Sequence, residues 1–105
     1  MIYVDEGFLD QTVNLPVGQV IELRLKENPT TGFQWSFAKE GAPSCKVLGD
    51  VFVPSGNKPG AGGEHTWQIK AVRLGTCDLQ LVYRRPFEPS AESAKSFTFH
   101  VQVTD

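Results

Sequence analysis

Two cysteines, one methionine and a net charge of only −2 are what this 105-residue chain has little of. With ten Lys+Arg against twelve Asp+Glu it lacks the positive excess of a nucleic-acid binder, so no nucleic-acid partner is expected. No apolar run approaches the roughly 18 residues of a membrane-spanning helix, and no membrane partner is expected either. The opening Met1-Ile2-Tyr3-Val4-Asp5-Glu6 lacks the basic start and apolar stretch of a signal peptide, which leaves a removed export signal, and hence the location, open. Cys45 and Cys77 allow at most one disulfide. They are too few for a structural zinc site unless His65 and His100 join them, and no Cys-x-x-Cys spacing supports one.

What is present is an ordinary globular composition, 40% hydrophobic and 21% charged, far from the signature of disorder. A single domain spanning residues 1–105 is expected at this length. Ten glycines and seven prolines exceed the usual share and point to many turns between short strands. Apolar residues alternate with polar ones almost throughout, and no stretch of helical length shows three- and four-residue spacing.

The alternation predicts Ile21, Leu23 and Leu25 on the buried face of one strand, then Phe33, Trp35 and Phe37 on the next. Val47 to Val53 is a weaker run, interrupted by a turn or bulge at Gly49-Asp50. Trp67, Ile69 and Ala71 point inward from a strand over 65–72. Cys77, Leu79, Leu81 and Tyr83 do so from 76–83, and Phe97, Phe99, Val101 and Val103 from 96–103. With short strands near Tyr3 and Thr12-Val13-Asn14, seven or eight elements form an all-β, immunoglobulin-like antiparallel β-sandwich whose core tryptophan is Trp35. The inter-sheet disulfide of that fold is missing, because no cysteine lies on the Ile21 strand; Cys45 and Cys77 are expected as small buried hydrophobes.

Three segments break the strand pattern: 27–32, 54–64 and 85–93. In an antiparallel sandwich successive connections alternate between the two ends, so these three gather at one end, where a rigid scaffold commonly presents binding residues. In Asn28-Pro29-Thr30-Thr31-Gly32-Phe33, Pro29 restricts Asn28 to extended geometry and Gly32 permits a positive φ, leaving Thr30-Thr31 at the tip. By itself this segment reads first as a plain tight turn. Gly60-Ala61-Gly62-Gly63 lacks the Gly-Lys-Ser/Thr ending and following helix of a phosphate-binding loop. It is either a plain linker or bare backbone open to a strand-like contact with another chain. In Arg85-Pro86-Phe87 an aromatic beside proline either folds onto the core or anchors a partner.

An enzyme reading would need Cys45 or Cys77 as nucleophile and His65 or His100 as base. Strand parity separates Cys77 from His100, and the scattered carboxylates form no acid-base constellation, so no enzyme activity is expected. An adhesion or carbohydrate-binding module using the same loop end remains the alternative class. It calls for aromatic platforms or acidic metal ligands there, of which only Phe87 is present.

In order and spacing, the three segments Asn28-Pro29-Thr30-Thr31-Gly32-Phe33, Gly60-Ala61-Gly62-Gly63 and Arg85-Pro86-Phe87 resemble the signature loops of the chagasin-type inhibitors of cysteine peptidases. The resemblance runs from about Val13 to Val103. It implies a monomer that inhibits papain-like cysteine peptidases reversibly, with no metal or cofactor. Thr30 would approach the enzyme's cysteine and Thr31 would support the loop. The Gly60–Gly63 segment would lie along the substrate side, and Arg85-Pro86-Phe87 on the leaving-group side. Phe87 stands where the family usually has tryptophan, which keeps a stacking face and loses area and the indole N–H.

Overall fold

Alternation dictates the architecture. A computed structural model describes residues 2–28, 31–56, 62–85 and 95–105. Its strands are β1 (Ile2–Val4), β2 (Thr12–Pro16), β3 (Val20–Glu27), β4 (Gln34–Glu40), β5 (Cys45–Pro54), β6 (Gly63–Ala71), β7 (Gly75–Arg84) and β8 (Lys95–Thr104). One short 3-10 turn over Glu6–Phe8 follows β1. Two four-stranded sheets, ordered β1-β3-β6-β5 and β2-β8-β7-β4, make the immunoglobulin-like sandwich.

The inward residues anticipated from parity form the core. Ile21, Leu23, Leu25, Ile69, Leu79, Leu81 and Phe99 are fully buried, and Trp35 and Trp67 are nearly so. The Gly49 irregularity is a bulge rather than a turn, since β5 continues through it with a register shift between Val47 and Gly49. The antiparallel expectation needs one correction, because β1 pairs with β3 and β2 with β8 in parallel. Neither pair is joined by a hairpin. Residues 5–19 carry the chain from β1 across to the second sheet at β2 and back to β3, a connection long enough for parallel neighbours.

Cys45 opens β5 in one sheet and Cys77 lies on β7 in the other, and both are buried, unbridged thiols with sulfurs 3.0 Å apart. The hydrogen bond between the two thiols holds Cys45 below its usual pKa, and the same bond, reinforced by burial, raises that of Cys77. Because both thiols are buried, alkylation should add nothing to the native protein and two groups after unfolding without reductant. A two-dalton mass gain on reduction of the native protein would instead reveal a bridge.

Candidate functional site

The stems of all three irregular segments meet at one end of the sandwich. β3 and β4 belong to different sheets, so the segment joining them must cross the sandwich edge, and Asn28, Thr31, Gly32 and Phe33 are its described residues. The Asn28 N–H donates to the Tyr83 hydroxyl at 3.0 Å, tying the loop to β7. Thr31 braces the loop internally, its Oγ1 donating to the Asn28 carbonyl at 2.8 Å and its N–H to the same oxygen at 3.2 Å. Gly32 has a φ of 85°, the left-handed turn for which a glycine was expected.

Phe33 precedes β4 instead of opening it, and is half-buried. Its ring stacks on Tyr83 at 5.3 Å, while the Arg85 guanidinium sits 4.7 Å above it and Arg85 Nε donates to the Thr31 carbonyl at 3.2 Å. Tyr83 also meets Trp35 at 4.9 Å. Phe33 and Arg85 thus join the first loop to the stem of the third through stacked rings, a cation and a hydrogen bond.

Gly62 and Gly63 end the glycine segment. The Ser55 N–H and hydroxyl both donate to the Gly62 carbonyl, closing that stem. Gly62 has a φ of 73°, and a Cβ there would lie 3.1 Å from the Glu27 carbonyl oxygen and 3.3 Å from Asn28 Cβ. The glycine loop therefore passes close enough to the first loop that a side chain would separate them. Gly62→Ala should cost about 1–2 kcal/mol of stability from backbone strain alone, read in a denaturant melt. Pro29, Thr30, Gly60, Ala61, Pro86 and Phe87 lie outside the described residues.

A second group of side chains lies beneath the loops; His65, Trp35 and Trp67 were each singled out from sequence, but neither Glu27 nor their grouping was. Glu27, the last residue of β3, is 6% exposed, and its Oε2 accepts the Trp35 N–H at 2.8 Å. Its Oε1 is 3.0 Å from His65 Nδ1, and His65 Nε2 is 2.6 Å from an Asp50 carboxylate oxygen. The imidazole stacks on Trp67, the planes 4.0 Å apart by centroid and 3° from parallel. Parity carried the signal: Glu27 continues the inward series 21, 23, 25, and His65 the inward series 67, 69, 71.

The histidines singled out from sequence do not join the two cysteines, and meet carboxylates instead. His100 is on β8 with Nδ1 2.6 Å from Asp78, holding that carboxyl below its ordinary pKa, while Cys77 faces the core. Among the described residues no group of three or more His, Cys, Asp or Glu could hold a metal ion.

An immunoglobulin-like sandwich that braces three loop stems against one another at one end is a scaffold for presenting loops. The chain belongs to the chagasin family of peptidase inhibitors, whose model matches residues 14–101. It is 31% identical over 97 residues to chagasin of Trypanosoma cruzi, covering 88% of both chains. It is 33% identical over 97 residues to amoebiasin-1 of Entamoeba histolytica, covering 88% of this chain and 89% of that one. The crystal structure of a cysteine protease inhibitor from Entamoeba histolytica superposes with a TM-score of 0.83 at 23% identity, over 98% of this chain and 94% of the other, which establishes the shared fold. Membership in an inhibitor family does not favour an adhesion or carbohydrate-binding role.

Proposed function

We propose that this protein inhibits papain-like cysteine peptidases reversibly, by seating the loops at 28–33, 60–63 and 85–87 in the active-site cleft. The observation that carries this reading is the family match, which spans all three segments. Thr30 is the residue placed nearest the catalytic cysteine. Gly60, Ala61, Gly62 and Gly63 offer backbone donors and acceptors to one side of the cleft, and Arg85, Pro86 and Phe87 cover the other.

The braces at the stems support it physically. An exposed loop loses conformational freedom when a partner immobilises it, and the bonds from Asn28 to Tyr83, from Thr31 to Asn28 and from Arg85 to Thr31 remove part of that freedom beforehand. Three such loops suit an interface of the standard size, about 1,600 Å² in total. A loop held rigid need not bring a carbonyl to the near-attack geometry that acylation requires, so it fills the cleft without being cut.

Papain assayed at rising concentrations of the protein tests the reading. A rising apparent KM at unchanged kcat is expected, with activity restored on dilution. Undiminished papain activity at micromolar protein, or activity that does not return on dilution, contradicts it.

A further inference from the structure

Glu27 sits where both stems of the 28–33 loop and one stem of the glycine loop are within reach of its side chain. It ends β3 immediately before Asn28, its carboxylate accepts the N–H of Trp35 on β4, and its register partner across the ladder is Gly63. Its other oxygen meets His65, two residues beyond Gly63 on the same strand. We propose that Glu27 and His65 are a positioning pair, setting the 28–33 loop against the glycine-loop stem and thereby setting the affinity for the peptidase. The inference rests on the inhibitory reading above.

The chemistry fits that role better than a purely structural one. A carboxylate taken out of water is costly unless its oxygens are satisfied, and hydrophobic residues of similar volume stabilise such a position as well or better. Here each oxygen has a partner, and the partners lie on strands of different sheets, β4 and β6. The bond to Trp35 therefore acts across the gap between the sheets, where strand ladders cannot, while the bond to His65 fixes the carboxylate from the neighbouring strand of its own sheet. His65 is itself held in place by Trp67 on its face, by Asp50 at Nε2 and by Phe52 in a T-shaped contact. Rotating the imidazole away from Glu27 would break the parallel stack and the Asp50 contact together, so the pair is rigid.

The test compares three proteins with the parent: Glu27→Gln, His65→Phe and the double variant Glu27→Met/His65→Phe. The double variant fills the space with slightly larger apolar side chains and keeps a ring on Trp67, but joins nothing to Trp35. Glu27→Gln retains an acceptor for Trp35 and a polar contact to His65. Two quantities are read on protein shown to be folded by circular dichroism: the inhibition constant for papain, and amide hydrogen exchange at Trp35 and at Asn28 to Phe33 in the free protein.

The double variant should raise the inhibition constant about 10- to 30-fold and speed exchange at Trp35 at least about 10-fold, as expected when a binding loop loses its preorganisation. His65→Phe alone, which leaves the Trp35 bond, should fall between that value and the parent, and Glu27→Gln should stay within about 3-fold of the parent. A folded double variant with the parent's inhibition constant, or with Trp35 exchange unchanged, overturns the proposal. If the double variant does not fold, equal inhibition by His65→Phe and the parent does the same. Should the parent itself not inhibit papain, the inhibitory reading is lost, and the affinity role with it, whereas the exchange data still decide whether the pair orders the loop.

Discussion

Trp35→Ala is expected to lower stability by about 3–5 kcal/mol, the cost of emptying a large buried volume that its surroundings cannot refill. Trp35 is 7% exposed, and its ring meets Tyr83 at 4.9 Å. Its Nε1–H donates to the Lys26 carbonyl at 2.8 Å, and its backbone N–H to Glu27. The side chain therefore does two things at once, filling the core between the sheets and bonding the end of β3 to the start of β4. Alanine abolishes the first and the indole bond, and leaves the backbone bond to Glu27 without its covering ring. Urea unfolding monitored by far-UV circular dichroism is the measurement. A midpoint equal to the parent's at unchanged slope would show that the ring does not carry the core.

The second large effect belongs to the loop tip. Thr30→Arg should weaken inhibition of papain by about 2–4 kcal/mol, 30-fold or more in the inhibition constant, because a long charged side chain is forced into the narrowest part of the cleft. Phe87→Ala, which takes away the stacking face proposed for the rim, should cost less, roughly 1–2 kcal/mol, mainly through faster dissociation. Phe87→Trp should bind as tightly as the parent or more so. If Thr30 and Phe87 face the peptidase as proposed, each variant should melt within about 0.5 kcal/mol of the parent. Thr30→Arg inhibiting as well as the parent would mean that the 28–33 loop is not the wedge.

Much of this fold is legible in the sequence, because period-two alternation is a local signal that survives wherever one sheet face is buried. The inward series on β3, β6, β7 and β8 came out residue by residue. Pairings between distant strands are not local, which is why the parallel contacts of β1 with β3 and of β2 with β8 were not anticipated. The end of an aromatic series is equally hard to place: Phe33 continues the parity of Trp35 and Phe37, yet it leaves the strand to stack on Tyr83 and Arg85.

At the site, the loop motifs are visible as motifs, whereas what holds them is not. Glu27, Trp35 and His65 are separated by eight and thirty residues; the ladder placing Glu27 opposite Gly63 brings it to His65, and the crossing from β3 to β4 in the other sheet brings it to Trp35. A glutamate and a histidine at inward parity were the available sign. Neither residue type is common at such a position without a partner.

The central claim is that the protein acts by filling the peptidase cleft, and binding to papain whose cleft is already filled tests it most directly. Papain is loaded with a peptidyl epoxide that alkylates its catalytic cysteine and occupies the substrate subsites, and the affinity of the protein for loaded and free enzyme is measured by titration calorimetry. Affinity for the loaded enzyme should be lower by at least about 100-fold, since cleft and loops cannot share one volume. Equal affinity for loaded and free papain would place the contact outside the cleft and contradict the account.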